Sequence, residues 1–163
     1  MKQVVIILGL GLAACGPSQQ PSDAANDAQT PARAASNERK IDAARLLGAS
    51  KPQVAVMLGE PADCRAEGRG ESCAYSQAAP GNAIEIFYVA GNAARLTLPN
   101  YGLEYRPASL AAYGIDAGEP VFRNEHVIRW HTSIGSIRAE IDMFPGEGNR
   151  IFYLYVIAQD VEI

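Results

Sequence analysis

The sequence predicts an α+β fold: short N-terminal helices packed on one face of an antiparallel β-sheet, in a helix-plus-sheet plan that runs twice along the chain. Three observations carry that expectation. Apolar residues recur at helical spacing only in short stretches, around Ile41–Leu47, Val54–Leu58 and Leu110–Tyr113. Most other apolar residues of the second half and middle of the chain fall in short runs bounded by Gly, Pro and Asn, the pattern of strands and turns. A Gly-Glu-Pro turn occurs at Gly59–Pro61 and again at Gly118–Pro120, each time between a helical and a strand-rich stretch.

The chain opens on Met1-Lys2-Gln3, one positive charge, followed by the apolar run Val4–Leu12 and the small residues Ala13 and Ala14. A basic start, a short apolar core and a small-residue cleavage zone form a secretory signal. A membrane span needs about 20 apolar residues, and Gly16-Pro17 breaks this run well before that. Leu12-Ala13-Ala14-Cys15 resembles the bacterial lipobox. That resemblance implies cleavage between Ala14 and Cys15 and a diacylglyceryl group on the Cys15 thiol. Two or three acyl chains anchor a protein stably where one holds it only marginally, since each buried CH₂ contributes about 0.8 kcal/mol. Gly16 stands where an Asp would mark retention in the inner membrane, so the resemblance leans toward the outer membrane, facing the periplasm. The partner expected at this end is the membrane itself, through the lipid.

Residues 1–14 thus read as signal and 15–37 as lipidated cysteine and tether. From Gly16 to Asn37 there is no aromatic or branched aliphatic residue, so the segment cannot bury enough apolar surface to offset its ordering entropy. About 22 residues of coil span roughly 25 Å. At 163 residues the chain leaves room for one folded domain, here 38–163. Its 14 basic and 18 acidic residues give a net charge of −4, made more negative by one when Lys2 leaves with the signal. A modestly acidic chain with no basic run is a poor match to nucleic acid.

Within the domain, Asn37 or Ser36 caps a first helix through Ile41, Ala44 and Leu47. Ser50-Lys51-Pro52-Gln53 has capping-box spacing with Pro in the first turn. The second helix places Val54, Met57 and Leu58 on one face and stops at Gly59. Strands are expected around Cys64, at Cys73–Ser76, Ala83–Ala90 and Ala93–Leu98, with Gly91-Asn92 as a tight hairpin. After Leu98 the plan recurs: a helix from Pro107 to Gly114, then strands at His126–Thr132, Ser136–Phe144 and Ile151–Ala158. Residues 38–98 and 104–159 read as a divergent duplication; chance recurrence of a common turn is the alternative.

Leu47-Gly48-Ala49-Ser50-Lys51-Pro52-Gln53-Val54 followed by Met57-Leu58-Gly59-Glu60-Pro61 resembles the signature of the SmpA/OmlA/BamE-like lipoproteins. The resemblance implies helices packed on a small antiparallel sheet, the unit that occurs in tandem in the secreted β-lactamase inhibitor protein. The second strand-forming half departs from the short members of the family, so no partner-binding residue is carried over from them.

Cys64 and Cys73 remain once Cys15 is lipidated. In an exported protein, two cysteines flanking a polar, glycine-containing loop most simply form a disulfide; free thiols, or zinc held with the histidines, are the alternatives. No catalytic constellation stands out, and no cofactor or metal is expected. His126 and His131 fall on opposite faces of their expected strand. Glu67-Gly68-Arg69-Gly70 lacks the Lys and Ser/Thr of a phosphate loop. Asp116 and Glu119 flank a turn and read as solvated, and Trp130 with Ile128 marks a buried strand face.

One pattern rises above this background. In Ile151–Ala158 both alternating sets are apolar, whereas Ile137, Ala139, Ile141 and Met143 alternate with Arg138, Glu140 and Asp142. With Phe152, Leu154 and Val156 facing the helices, Tyr153 and Tyr155 lie on the open face of the sheet, joined there by Arg129 and His131. Aromatics and Arg on such a face compose a protein-binding hot spot. The alternative is a central strand buried on both faces. The expectation is therefore a lipid-anchored, non-enzymatic envelope protein that docks other envelope proteins through its sheet. A small-molecule or cell-wall-binding module and an envelope hydrolase are the other readings, and no residue bears on oligomeric state.

Overall fold

The computed structural model describes residues 40–76 and 83–160. The expected signal, the Ala14–Cys15 cleavage site and the tether lie outside those residues. The domain is α+β and mostly sheet, with helices α1 (Ala43–Leu46) and α2 (Lys51–Leu58) preceding eight antiparallel strands. These are β1 (Asp63–Glu67), β2 (Gly70–Tyr75), β3 (Ile84–Val89), β4 (Asn92–Pro99), β5 (Phe122–Arg123), β6 (Ile128–Ile134), β7 (Ile137–Pro145) and β8 (Ile151–Ala158). In space they run β1-β2-β3-β4-β8-β7-β6-β5. Two four-stranded meanders therefore meet at their last strands, β4 against β8.

Local chemistry explains the boundaries. The Ser50 N–H donates to Gln53 Oε1 at 2.8 Å, so one end of the expected capping box closes on α2. Gly59 ends that helix at φ +86°, ψ −179°, a conformation essentially reserved for glycine. The Pro107–Tyr113 helix forms as expected but as a 3₁₀ helix, stopped by Gly114 in the left-handed region. The β3–β4 hairpin turns on Ala90 and Gly91, both with positive φ, because Val89 pairs with Asn92. That is one residue earlier than the Gly91-Asn92 expected. The two-residue strand β5 was too short to read from periodicity.

Alternation sets one face of the sheet against the helices. Ile86, Leu96, Val156, Ile141 and Trp130 stand in a single cross-strand row and are fully buried. Ala43, Leu46, Leu47 and Val54 from the helical segment, with Leu110 and Tyr113 from the 3₁₀ helix, complete one core with that row. Burying a Leu, Ile or Val side chain contributes about 1.5–3 kcal/mol.

Several local geometries occur once in each meander. Lys51 N–H donates to Gly91 O and Ala93 N–H to Ala49 O; Tyr105 N–H donates to Asn149 O and Ile151 N–H to Leu103 O. The turn before β4 holds positive φ at Ala90-Gly91, and the turn before β8 at Gly148-Asn149. After each Gly-Glu-Pro, the next N–H enters the sheet: Ala62 onto Ala74 O, and Val121 onto Arg129 O. The β3–β4 register slips between Phe87 and Tyr88, leaving Ala94 as the extra residue. The β7–β8 register slips between Phe144 and Pro145, leaving Phe152 as the extra residue.

Candidate functional site: the open face of the sheet

The face opposite the helices carries a register row across all eight strands: Phe122, Arg129, Asp142, Tyr155, Thr97, Glu85, Ala74 and Asp63. At about 4.8 Å per strand this row runs about 34 Å. Its two halves differ in chemistry. Over β1–β4, charges pair with one another: Arg65 with Glu85 at 2.7 Å and Arg95 with Glu67 at 3.1 Å. Arg95 also lies 5.0 Å from the centre of the Phe87 ring. Over β7 and β8 the face is aromatic. Phe144 and Tyr153 have ring centres 4.6 Å apart, Tyr153 and Tyr155 4.8 Å, and Phe152 and Tyr153 5.0 Å.

Register brings all four residues expected for partner binding to this face. Tyr153 and Tyr155 are half-buried because β8 is a central strand between β4 and β7. Burial, and then Tyr155 beside it, pushes the Tyr153 phenol up. Arg129 does not stand free. Its Nε and Nη2 donate to the two carboxylate oxygens of Asp142, each at 2.6 Å, and that bidentate bond holds the guanidinium more firmly protonated than usual. His131 Nε2 lies 3.1 Å from Glu140.

Phe152 corrects the expected orientation of the last strand. It is 64 % exposed, and Ile151, fully buried, takes the core position. The bulge opposite Pro145 is the cause: the register there pairs Phe144 with Tyr153 and Pro145 with Ile151. Strict alternation read through a bulge assigns the wrong face. Pro145 itself is the signal that was available, since a proline has no N–H for the ladder and falls at bulges and edges.

Other expected residues resolve plainly. Cys64 and Cys73 are bonded to each other, so their sulfurs beside Glu71 are not free as metal ligands. Trp130 is fully buried, and its indole N–H donates to Gly118 O at 3.2 Å. His126 precedes β6 in a turn, its N–H on Asn124 Oδ1 and its ring 3.3 Å from Glu125, so the opposite-face argument for the two histidines does not apply. Asp116 and Glu119 are exposed. Among the described residues no helix is long and apolar enough to cross a membrane.

No family model matches the chain, and no curated protein matches it. Among solved structures, the chain is similar to a cysteine-rich secretory protein (SAV1118) from Staphylococcus aureus subsp. aureus Mu50, at 7 % identity over 76 % of this chain with a TM-score of 0.44. It spans about half of that protein, 48 % of its length.

Proposed function

We propose that the chain is a non-enzymatic, lipid-anchored protein of the cell envelope that docks other envelope proteins through the open face of its sheet. One observation carries the docking part: the face away from the helices bears a contiguous cluster of Phe144, Phe152, Tyr153 and Tyr155 beside the Arg129–Asp142 pair. Aromatic residues and Arg are the side chains enriched where protein partners bind. The anchoring part rests on the lipobox-like Leu12–Cys15, with Cys15 lipidated and the domain facing the periplasm from the outer membrane.

We also infer that residues 38–98 and 104–159 are tandem helix-plus-sheet repeats. The paired bridges, left-handed turns and bulges support this, since such features are placed by design and not by chance recurrence of one turn. The comparison between halves then separates scaffold from addition. Both halves keep the bulge, but Ala94 is buried at it and Phe152 is exposed. The exposed ring belongs to the surface, not to the fold.

A small-molecule reading asks for a platform at Trp130, which is occupied in the core. A hydrolase reading asks for histidines in one cleft with Asp and Ser, and His126 and His131 pair separately with Glu125 and Glu140.

The test is cross-linking in intact cells with the full lipidated chain. A photoreactive residue at position 152 is expected to give a discrete adduct, and the same residue at Val56, exposed on the helix side, is not. Phe152→Ser with Tyr153→Ala is expected to lower recovery of that adduct's partner by tenfold or more, with circular dichroism unchanged. An unaltered partner profile and envelope phenotype in that variant would sink the docking reading. For the anchor, Cys15→Ala is expected to release the protein from membranes; unchanged partitioning would contradict lipidation.

A further inference from the structure

The two edges of the sheet are built differently. β1 closes one edge with Asp63, Arg65 and Glu67 alternating along its five residues, the charged pattern that discourages a foreign strand. At the other edge β5 pairs with β6 only at Arg129 and Ile128, yet β6 continues to Ile134. In an antiparallel ladder the N–H and C=O of alternate residues point the same way. Val121 N–H donates to Arg129 O at 2.9 Å, so Arg129 points outward, and the next outward groups belong to His131 and Ser133. Trp130, Thr132 and Ile134 point to β7. Among the described residues no strand pairs with the edge beyond Arg129.

Among the described residues this stretch lacks the usual guards. Trp130–Ile134 contains no Lys, Asp, Glu or Pro, and its pairing with β7 has no register shift. The one ionisable side chain, His131, is turned along the face onto Glu140. The edge is also backed rigidly, since β6 pairs with β7 from Ile128 through Ile134 and β7 with β8 from Ala139 onward. Beside it lies a hollow of about 420 Å³ lined by His131, Thr132, Ser133, Arg138, Ala139 and Gln159.

We propose that the His131–Ser133 edge of β6 takes up an extended segment of a partner polypeptide as an added strand, with a polar side chain of that segment in the adjoining hollow. Outward main-chain donors and acceptors at strand spacing, with no strand paired to them among the described residues, are matched by another extended backbone, which supplies the affinity in strand addition. A single segment fits better than a second copy of the edge. β5 closes one end and the Gly135-Ser136 turn the other, so two rigid edges would share only a few main-chain bonds, while a free segment also fills the hollow and can run past the turn.

The test uses the full lipidated chain in intact cells. A photoreactive residue at position 133, with one at position 65 on the guarded edge as control, is cross-linked, and the attached partner segment is identified by mass spectrometry. A synthetic peptide of that segment is then titrated against the protein while amide exchange is followed. The expected result is at least tenfold slower exchange at His131 and Ser133, kept at both positions by Ser133→Ala and lost at His131 in Ser133→Pro, which has no amide of its own at 133 to follow. Proline at 133 removes only an outward N–H, so the ladder to β7 survives. If that variant fails to fold, Ser133→Lys guards the edge without altering the backbone. Equal cross-linking from 65 and 133, peptide binding without protection of the two amides, or an adduct that proves to be this chain itself would each overturn the proposal. Cross-linking from 133 that persists in the Phe152→Ser, Tyr153→Ala variant separates this edge from the open-face reading, and either can fail alone.

Discussion

Asp142 is a carboxylate with only 5 % of its surface exposed, in the middle of a sheet. Such a charge is tolerated because Arg129 meets both its oxygens; removing one partner leaves the other unpaired and partly desolvated. Arg129→Ala is therefore expected to cost about 2 kcal/mol, the scale of hydrogen bonds to a charged group, read as a lowered urea midpoint. Tyr101 is the opposite case. Among the described residues its hydroxyl is a buried oxygen with no hydrogen-bond partner, and burial pushes its phenol up. Tyr101→Phe removes that unsatisfied group and keeps the ring against Tyr113, so it is expected to leave stability unchanged or raise it by up to about 1 kcal/mol in thermal or urea unfolding. The Cys64–Cys73 bond, by closing a short loop in the unfolded chain, is expected to contribute about 2–3 kcal/mol, measured as the loss on Cys64→Ser with Cys73→Ser.

At the scale of elements, turn and bulge carry the structure. Ala90 and Gly91 both hold positive φ between β3 and β4. A side chain in that region costs about 1–2 kcal/mol. Gly91→Ala should therefore lower stability by about 1 kcal/mol, and Ala90→Gly should raise it by about half that once the extra freedom of unfolded glycine is counted. Equal urea midpoints for the two variants would contradict this. Most elements were legible in the residues because their signals are local. The Ser50–Gln53 cap, the Gly59 and Gly114 stops and the span of β8 fall where spacing and turn chemistry put them. What escaped depends on partners across the sheet. The face of Phe152 follows from a register slip against Pro145, which alternation along one strand cannot reveal. β5 is held by Arg129 and Ile128 more than by its own two residues. Of the candidate site, Tyr153, Tyr155, Arg129 and His131 were readable from alternation. Asp142, which neutralises Arg129, and Phe144, which stacks on Tyr153, required the strand order.

Across the whole molecule, buried phenols set a limit at high pH. Tyr88 is pushed far up by burial first and then by its hydroxyl contact with Tyr75, and Tyr113 is pushed up by burial. A phenol whose folded pKa is raised keeps its proton in the folded state after the unfolded chain has lost it. Its contribution is complete below the unfolded value near 10 and is lost as pH rises beyond it. Urea midpoints are expected to hold steady from pH 8 to about 9.5 and fall between about 10 and 11, with a shallower fall in Tyr113→Phe. A flat profile to pH 11 would show that these phenols are not closed off from solvent.

The order β1-β2-β3-β4-β8-β7-β6-β5 also dictates a history for each newly made chain. Every pairing but one joins neighbours in sequence, and those hairpins close quickly because their loops are short. The exception is β4 with β8, where Leu96 meets Val156 across the full length of the second meander. A chain made from its N-terminus finishes the first meander while β4, with Leu96 and Leu98 among its apolar residues, still lacks its neighbour. Residues 40–99 expressed alone are expected to associate through that raw strand in light scattering, and adding Leu96→Lys to suppress it. The seam that unites the finished sheet is thus the wound that stays open longest during its making, and whatever escorts this chain before β8 arrives has β4 to shield.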